Sequence, residues 1–335
     1  MSGAGEARLD FVLALRKGWA RDLFPALRDA ASGPGDVARR AHDAPVYPWF
    51  AFVERGAQKM LWRSVQDIVA DLPDREHAAL GALHLDPDLA APDWYAEWDI
   101  HLQPGGLTAP RAADVYALGA QLVMLGENDD YRFHTLFAET AIPKRRYRRI
   151  IDLGCGFGKS AWALAKAFPD AEVIGVDLSA PCLAMAAARA QAMGLANMRF
   201  VQANVAATRL EAGGADLVTS TMLIHELPID VLAAVYGESR RLLAPGGALR
   251  FLDFQLTGDP LRDLCILEHG VRNNEPFMAA MLRSDLNAMA QAAGLVRPRR
   301  FAFDERGRGM LETLSWPARQ DWHFPWAVMA AEAPA

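Results

Sequence analysis

From Arg149 onward the sequence alternates short, continuously apolar runs with stretches of helical periodicity. The apolar runs are RIIDLG (149–154), AEVIGVD (171–177), MRFVQAN (198–204), ADLVTST (215–221) and GALRFLDF (247–254). Runs of this length are typical of buried strands, and their alternation with helices is the pattern of βαβ units around a parallel sheet. A helix near 278–293 and strands near 296–303 and 323–331 follow. The sequence therefore predicts an α/β fold with a doubly wound sheet.

The first 125 residues have a different pattern. Apolar residues recur at helical spacing over 7–31, and we predict further helices over 48–70, 75–84 and 110–125. Strand alternation does not occur in this part. The proline-rich aromatic stretch over 86–107 predicts an irregular connector. We therefore divide the chain into a helical N-terminal cap module (1–125), for substrate or dimer contacts, and a sheet domain (126–335) with an insertion at 255–277.

Composition narrows the function classes. The chain has 335 residues, of which 52% are hydrophobic and 23% charged, with a net charge of −6. A globular protein is expected, and the negative charge disfavours a surface for nucleic acid. Its three cysteines, Cys155, Cys182 and Cys265, show no CxxC spacing, and neither a secretion leader nor an 18-residue apolar run is found. We expect a cytoplasmic protein without a membrane or nucleic-acid partner.

A glycine loop lies between the first strand and its helix. In IIDLGCGFGKS (150–160), Gly154, Gly156 and Gly158 leave bare backbone beside the helix N-terminus, where a ligand can approach. The dinucleotide pattern GxGxxG would need a glycine at Lys159, and the phosphate loop GxxxxGKS would need one at Leu153. Both patterns are therefore weak, although a nucleotide-binding module for ATP or NAD stays the alternative from another functional class.

Polar residues end the next two strands. Asp177 follows Gly158 by 19 residues, and at that point a carboxylate can accept both hydroxyls of a ribose. Asp177 could instead cap the following helix, but Ser179 can take that role. Asn204, one strand further on, could meet an adenine edge with its amide.

In this order, DLGCGFG, VIGVDLS, the asparagine after the third strand, DLVTS and LLAPGG resemble class I S-adenosylmethionine-dependent methyltransferases. The resemblance is greatest to the ubiquinone/menaquinone C-methyltransferase-like branch, and it covers about residues 130–255. It implies a Rossmann-like methyltransferase sheet that binds S-adenosyl-L-methionine. The residues implied to surround this cofactor are Asp152, Gly154, Gly156 and Gly158 at its methionine part, Asp177 at its ribose, Leu178, Asn204 and Val205 at its adenine, and Tyr131 in an upstream closing segment.

Methyl transfer is an in-line displacement, so the protein chiefly supplies alignment, exclusion of water and sometimes a base. In open α/β sheets the acceptor lies beyond the carboxyl ends of the strands. His225 and Glu226, in TMLIHELP after the fourth strand, are therefore candidate catalytic residues. The sequence does not separate this role from a structural one at the start of the next helix. A zinc-protease HExxH motif is excluded because residue 229 is Ile229.

The insertion at 255–277 is longer than the roughly 2 to 6 residues that usually join a strand to a helix. It supplies His269 as a third candidate catalytic residue. His225, Glu268, His269 and His323 could converge on a metal, but no ligand spacing compels this, so we assign none.

The resemblance implies an enzyme that transfers a methyl group from S-adenosylmethionine to a small-molecule acceptor. Methylation of carbon is favoured because the relatives that it resembles most often methylate carbon. Methylation of oxygen or nitrogen on an aromatic or amino metabolite is the alternative, and a homodimer is possible.

Overall fold

The computed structural model describes residues 3–73, 82–128 and 130–335. In these ranges, nine strands form one sheet in the order β1-β4-β3-β2-β5-β6-β9-β7-β8. The strands are β1 (Leu83–His84), β2 (Arg149–Leu153), β3 (Glu172–Asp177), β4 (Met198–Gln202), β5 (Ala215–Thr221), β6 (Leu243–Phe254), β7 (Val296–Asp304), β8 (Gly309–Met310) and β9 (Trp326–Glu332).

The first six strands of the spatial order, β1 to β6, pair in parallel, whereas β9, β7 and β8 are antiparallel to their neighbours. On one side of β2 lie β3 and then β4, and on its other side lie β5 and then β6. The carboxyl ends of β2, β3 and β5 therefore meet at one edge, where open α/β sheets bind ligands. The predicted doubly wound, Rossmann-like α/β fold is confirmed.

Helices surround this sheet and build the N-terminal module. They are α1 (Gly3–Gly18), α2 (Phe24–Ala31), α3 (Val37–Asp43), α4 (Tyr47–Ala70), α5 (Asp93–Ala96), α6 (Ala112–Val123), α7 (Arg132–Thr140), α8 (Lys159–Ala167), α9 (Ala180–Ala192), α10 (Ile229–Leu242), α11 (Pro260–Arg272), α12 (Met278–Arg283) and α13 (Leu286–Ala292). A short π-helix over 19–23 joins α1 to α2, so the predicted helix over 7–31 is present as one uninterrupted helical segment.

The structure differs from the sequence expectations at three places. Leu83 and His84, placed in a helix, instead form β1 at the sheet edge, where Leu83 pairs with Phe200. The rest of that predicted helix, apart from residue 82, lies outside the described residues. The expected helix over 278–293 is divided at Ser284, and most of the insertion at 255–277 is the helix α11. These differences reflect tertiary packing, which overrides local helical periodicity in short segments.

The N-terminal helices share a hydrophobic core with the sheet domain. Trp19 stacks on Phe50 with ring centroids 5.2 Å apart, and Trp322, from the segment before β9, packs edge-on against Phe24 at 5.2 Å. The Trp322 backbone N–H also donates to the Ala20 carbonyl at 2.8 Å. The expected boundary between residues 125 and 126 is therefore crossed by a continuous core.

Charged contacts fix helix α4 against the insertion helix α11. The Glu54 carboxylate accepts hydrogen bonds from the Arg272 guanidinium and from His269 Nδ1, the latter at 2.6 Å. Glu268 on α11 accepts from Tyr47 at 2.9 Å and lies 2.6 Å from His42. The N-terminal module and the insertion thus pack together. Among the described helices, none is long and apolar enough to cross a membrane.

Helices α4 and α6 pack closely at Gly119, so a substitution there tests the packing of the N-terminal module. A Cβ atom at Gly119 would lie 2.1 Å from the Trp62 ring, so we expect Gly119→Ala to destabilise the protein by about 1–3 kcal/mol through overpacking. The matched control is Gly56→Ala in α4, where nothing lies within 4 Å and alanine should add about 0.5–1 kcal/mol of helix stability. Urea unfolding measures both changes, and equal midpoints for the two variants would contradict this account.

Candidate active site

A cleft of about 760 Å³ lies at the carboxyl edge of the sheet. We call it the glycine-loop cleft. The sheet domain contributes Gly154, Cys155, Gly156, Lys159, Ser160, Asp177, Leu178, Asn204, Val205, Thr221, Met222, Leu223, Glu226 and Leu227, together with His134 from α7. The N-terminal module contributes Trp94, Tyr95, Leu107 and Tyr116.

The first two glycines of the glycine loop both have a positive φ. Gly154 has φ +69°, and a Cβ atom there would lie 2.7 Å from the Leu223 side chain. Gly156 has φ +52° and donates its backbone N–H to the Asp177 carboxylate at 2.8 Å. Residues that carry a side chain rarely adopt such φ values, so glycine at both positions lets the bare loop backbone form one wall of the cleft.

Asp177 stands at the wall of the same cleft. Its carboxylate accepts the N–H groups of Gly156 and Ser179, each at 2.8 Å. Burial raises the pKa of Asp177 to about 6, although these backbone donors oppose the rise. Ser179 caps α9 by accepting the Cys182 N–H at 3.2 Å, so the cap does not need Asp177. Leu178, Asn204 and Val205 line the cleft beside it.

Asp152 and Gly158, which the resemblance placed around the cofactor, do not line this cleft. Asp152 is fully buried beneath the loop and accepts hydrogen bonds from Ser160 and Thr219, and burial raises its pKa to about 7. A Cβ atom at Gly158 would lie 2.7 Å from Trp162, within its own helix α8. Both residues therefore pack behind the loop, and their contact with the cofactor stays a prediction.

Tyr131 also lies away from the glycine-loop cleft. Its hydroxyl accepts from Arg189 at 3.2 Å, and its ring packs edge-on against Phe157 and Trp162 in a separate surface depression. Other aromatic residues reach the cleft, namely Trp94, Tyr95 and Tyr116, the last of these from α6. The sequence analysis missed Tyr116 because helical periodicity places it on α6 without indicating what that helix covers.

A second cavity of about 710 Å³ adjoins the cleft between the N-terminal module and the sheet domain. We call it the cap cavity. The N-terminal module contributes Arg16, Gln58, Trp62, His101, Tyr116, Ala120, Val123 and Met124, and the sheet domain Lys159, Met222, His225, Glu226, Phe254, His269, Glu275, Phe324 and Trp326. Tyr116, Lys159, Met222 and Glu226 line both spaces.

His225 is buried at the floor of the cap cavity. Its Nδ1 lies 2.7 Å from Asp253, which also accepts the Ile224 N–H at 2.8 Å. Burial lowers the pKa of His225, but Asp253 and the more distant Glu275 and Glu226 raise it by more, so the net pKa is raised. Asp253 thus fixes the ring, and Nε2 is left without a hydrogen-bond partner.

His101 bridges two carboxylates in front of His225. Its Nε2 is 2.9 Å from Glu226 and its Nδ1 is 2.9 Å from Glu275. Burial lowers the pKa of His101, yet the two carboxylates raise it to about 10. Burial raises the pKa of Glu275, whereas His101 and the neighbouring histidines lower it to about 2. The sequence analysis did not select His101 or Glu275, because their proximity to His225 arises only from the fold.

His269 faces this group from α11. Its Nδ1 is 2.6 Å from Glu54, and its Nε2 is 3.7 Å from Glu275. The candidate catalytic residues His225, Glu226 and His269 therefore line one cavity. Their roles remain a prediction.

The four residues considered as a metal set do not converge. Glu268 binds His42, Tyr47 and Arg272 at the junction of the module and the insertion. His323 lies 3.2 Å from the Arg262 guanidinium, and burial together with that cation lowers its pKa to about 3. A metal ion would be repelled there.

Two buried cations line the cap cavity, and neither forms a direct ion pair with a carboxylate in the part of the chain that the structure describes. Arg16 donates to Gln58 and to the Val123 carbonyl, its Nε has no partner, and burial lowers its pKa to about 10. The Lys159 ammonium lies 3.2 Å from the Tyr116 hydroxyl, and burial lowers its pKa to about 8. Buried charges are normally paired, so both groups are suited to an anionic ligand.

Comparison with known proteins agrees with this geometry. Residues 150–247 match the methyltransferase domain family. The chain carries a class I methyltransferase domain. S-adenosylmethionine is the methyl donor of this class, and the match spans the glycine loop, Asp177 and the segment with His225.

Three relatives resemble the chain over its central part. A demethylmenaquinone methyltransferase of Thermus thermophilus is 37% identical over 146 residues, which are 44% of this chain and 62% of the relative. A trans-aconitate 2-methyltransferase of Deinococcus radiodurans is 37% identical over 33% of this chain and 40% of its own length. A tRNA (guanine-N(7)-)-methyltransferase of Chloroflexus aggregans is 37% identical over 36% of this chain and 57% of its own length.

The chain thus spans less than two thirds of each of these relatives. Their names cover different acceptors at equal identity, so the similarity does not select an acceptor for this chain. The segments that line the cap cavity from α1 and α4 lie outside the matched family domain.

The raised pKa of Asp177 predicts how cofactor binding depends on pH. The carboxylate form is the better acceptor for ribose hydroxyls, so affinity for S-adenosylhomocysteine should be constant above about pH 7 and fall about 10-fold by pH 5, one unit below the pKa. Isothermal calorimetry across this range measures it. Asp177→Asn should bind more weakly at pH 7 and lose the dependence; an unchanged slope in that variant would assign the titration to another group.

Proposed function

We propose that this protein transfers a methyl group from S-adenosylmethionine to a small-molecule acceptor held in the cap cavity. The observation that carries the proposal is the shared wall between the two spaces, formed by Tyr116, Lys159, Met222 and Glu226. In-line displacement needs donor and acceptor on either side of one narrow passage.

In this proposal the donor occupies the glycine-loop cleft. The backbone of Gly154 and Gly156 surrounds its methionine part, and Asp177 accepts hydrogen bonds from the ribose. Leu178, Asn204 and Val205 contact the adenine. The support is the position of these residues on the cleft wall and the bare backbone of the loop.

The acceptor is a small molecule rather than a nucleic acid. The walls of the cap cavity are largely buried side chains from helices and strands, and the chain has a net charge of −6. One relative is named as a tRNA methyltransferase, but a polynucleotide would need a positively charged exposed surface.

The histidine–carboxylate cluster activates the acceptor. His225, Glu226 and His269 can hold an acceptor oxygen and draw a proton from the nucleophile, because His225 is oriented by Asp253 and leaves Nε2 towards the cavity. In an enol or a phenol, loss of the hydroxyl proton makes the carbon a stronger nucleophile. C-methylation of an enol or phenol is therefore our first choice, with O-methylation second.

Arg16 and Lys159 favour an acceptor that carries an anionic group. A carboxylate bound near them would neutralise two buried cations that form no direct ion pair with a carboxylate among the described residues. The acidic cluster around His225 would repel the same group, so the acceptor is oriented with its reactive end towards His225.

We expect turnover with acidic enolic or phenolic acceptors and roughly 10- to 100-fold lower kcat/KM with their methyl esters, which cannot form the charge-assisted hydrogen bond. Release of S-adenosylhomocysteine measures this. Arg16→Gln should remove most of the difference, whereas Arg8→Gln, also on α1 but about half exposed and paired with Asp67, should keep it. Equal turnover of acids and esters would exclude an anionic acceptor.

Ligand choice separates the proposal from the ATP or NAD alternative. S-adenosylhomocysteine should raise the melting temperature, and ATP and NAD should not. In Gly156→Val the added side chain meets Tyr116 at 3.3 Å and φ is +52°, so binding should be abolished. Gly194→Val is the control, since Gly194 also has a positive φ but nothing within 4 Å. Stabilisation by NAD or ATP alone would overturn the assignment of the cleft.

A further inference from the structure

Among the described residues that line the cap cavity, several buried polar atoms have no hydrogen-bond partner, and two of these atoms lie close to one another. They are Nε2 of His225 and Oε2 of Glu275, which lie 3.9 Å apart. Both residues are nearly inaccessible, at 2% and 5% exposure. Buried polar atoms are almost always satisfied, so a ring nitrogen and a carboxylate oxygen left facing one another are suited to a bound partner that contacts both.

The surrounding donors have the spacing of a metal site. His101, His225 and Glu226 each offer one atom, and these atoms lie within 4.8 Å of one another, the one such group among the described residues. Glu226 Oε1 is 2.9 Å from His101 Nε2 and 3.9 Å from His225 Nε2. Donors bound at about 2.1 Å to one ion are separated by roughly 3–4 Å, so small side-chain movements would suffice.

Each histidine of this group also has the outer contact typical of a metal ligand. Asp253 holds Nδ1 of His225 at 2.7 Å, and Glu275 holds Nδ1 of His101 at 2.9 Å, so the Nε2 atom of each ring faces the other donors: that of His225 has no partner among the described residues, and that of His101 contacts Glu226, itself a donor of the group. A carboxylate on the second ring nitrogen fixes the tautomer and orientation of metal-bound histidines. The buried His134 and His323 lack such a carboxylate; Nδ1 of His134 has no partner, and His323 faces Arg262.

We propose that His101, His225 and Glu226 bind one divalent transition metal ion at the junction of the two cavities. Two imidazoles and one carboxylate suit zinc, ferrous iron, manganese or cobalt, and the orphaned Glu275 oxygen lies next to the ion. Histidine coordinates a metal ion in its neutral form, so binding of the ion would compete with protonation of both rings.

The site is of the open, catalytic kind. Three protein ligands leave further positions, and all three ligand residues line the cap cavity. Here the inference rests on the proposed function and changes the role of His225 in it: with Nε2 of His225 bound to the ion, an acceptor oxygen would occupy an open position, and the ion instead of that nitrogen would favour its deprotonated form. The backbone holds His101 in an uncommon conformation, because His101 and Leu102 have φ values of 58° and 61°, which residues other than glycine rarely adopt. His101 also lies outside the matched family domain, which begins at residue 150.

Metal binding can be tested without turnover. The full chain, stripped with a chelator, is titrated with Co²⁺ by visible spectroscopy and calorimetry and then with Zn²⁺ in competition. We expect one ion per chain. His225→Gln and Glu226→Gln should weaken binding at least about 100-fold, and Asp253→Asn, which removes only the orienting carboxylate, about 10- to 100-fold. His42→Gln is the matched control, because His42 also pairs with a glutamate but outside the cavity, and it should bind as the wild type does.

Binding of S-adenosylhomocysteine by each variant reports whether it is folded. A stripped wild-type chain that binds S-adenosylhomocysteine but no Co²⁺ or Zn²⁺ would overturn the metal site and leave the proposed function standing. Unchanged metal affinity in both His225→Gln and Glu226→Gln would also overturn it. Stoichiometric metal binding without any binding of S-adenosylhomocysteine would instead overturn the proposed function and keep the metal site.

Discussion

The buried ionic contact between helices α4 and α11 holds the candidate site together. Glu54 accepts from Arg272 and from His269, and it therefore joins the N-terminal module to the insertion that follows β6. Removing one partner of such a contact leaves an uncompensated buried charge, which is costly. Because His269 belongs both to this contact and to the cap cavity, the position of the module and the shape of the cavity are linked.

This linkage explains why the two cavities have different origins. The glycine-loop cleft is built largely from the carboxyl ends of the strands, and the residues that would bind a donor lie on the loops after them. The cap cavity depends on α1, α4 and α6, which lie outside the matched methyltransferase domain. Donor binding is thus supported by a widespread fold, whereas acceptor choice depends on side chains that this chain adds to it.

Local sequence patterns predicted the parts of the site that follow strands. The apolar runs located β2 to β6, and the glycines and Asp177 follow two of them directly, so their place at the sheet edge could be read from the order of elements. The same reasoning brought His225 and Glu226 to the cavity. It did not indicate that Asp152, Gly158 and Tyr131 lie outside the lining of the glycine-loop cleft, because sequence order does not indicate which side of a loop or helix is covered by a neighbour.

The sequence by itself determined the sheet, the glycine loop and the identity of the groups after each strand, since these depend on apolar periodicity and on backbone freedom over a few residues. Only the tertiary structure decided that His101 and Glu275, 174 residues apart, meet in front of His225. It likewise decided that Arg16 lines a cavity, with neutral hydrogen-bond partners and no direct ion pair among the described residues. Contacts at such separation depend on how the helices pack over the sheet, and the pattern within each segment carries no information about that packing.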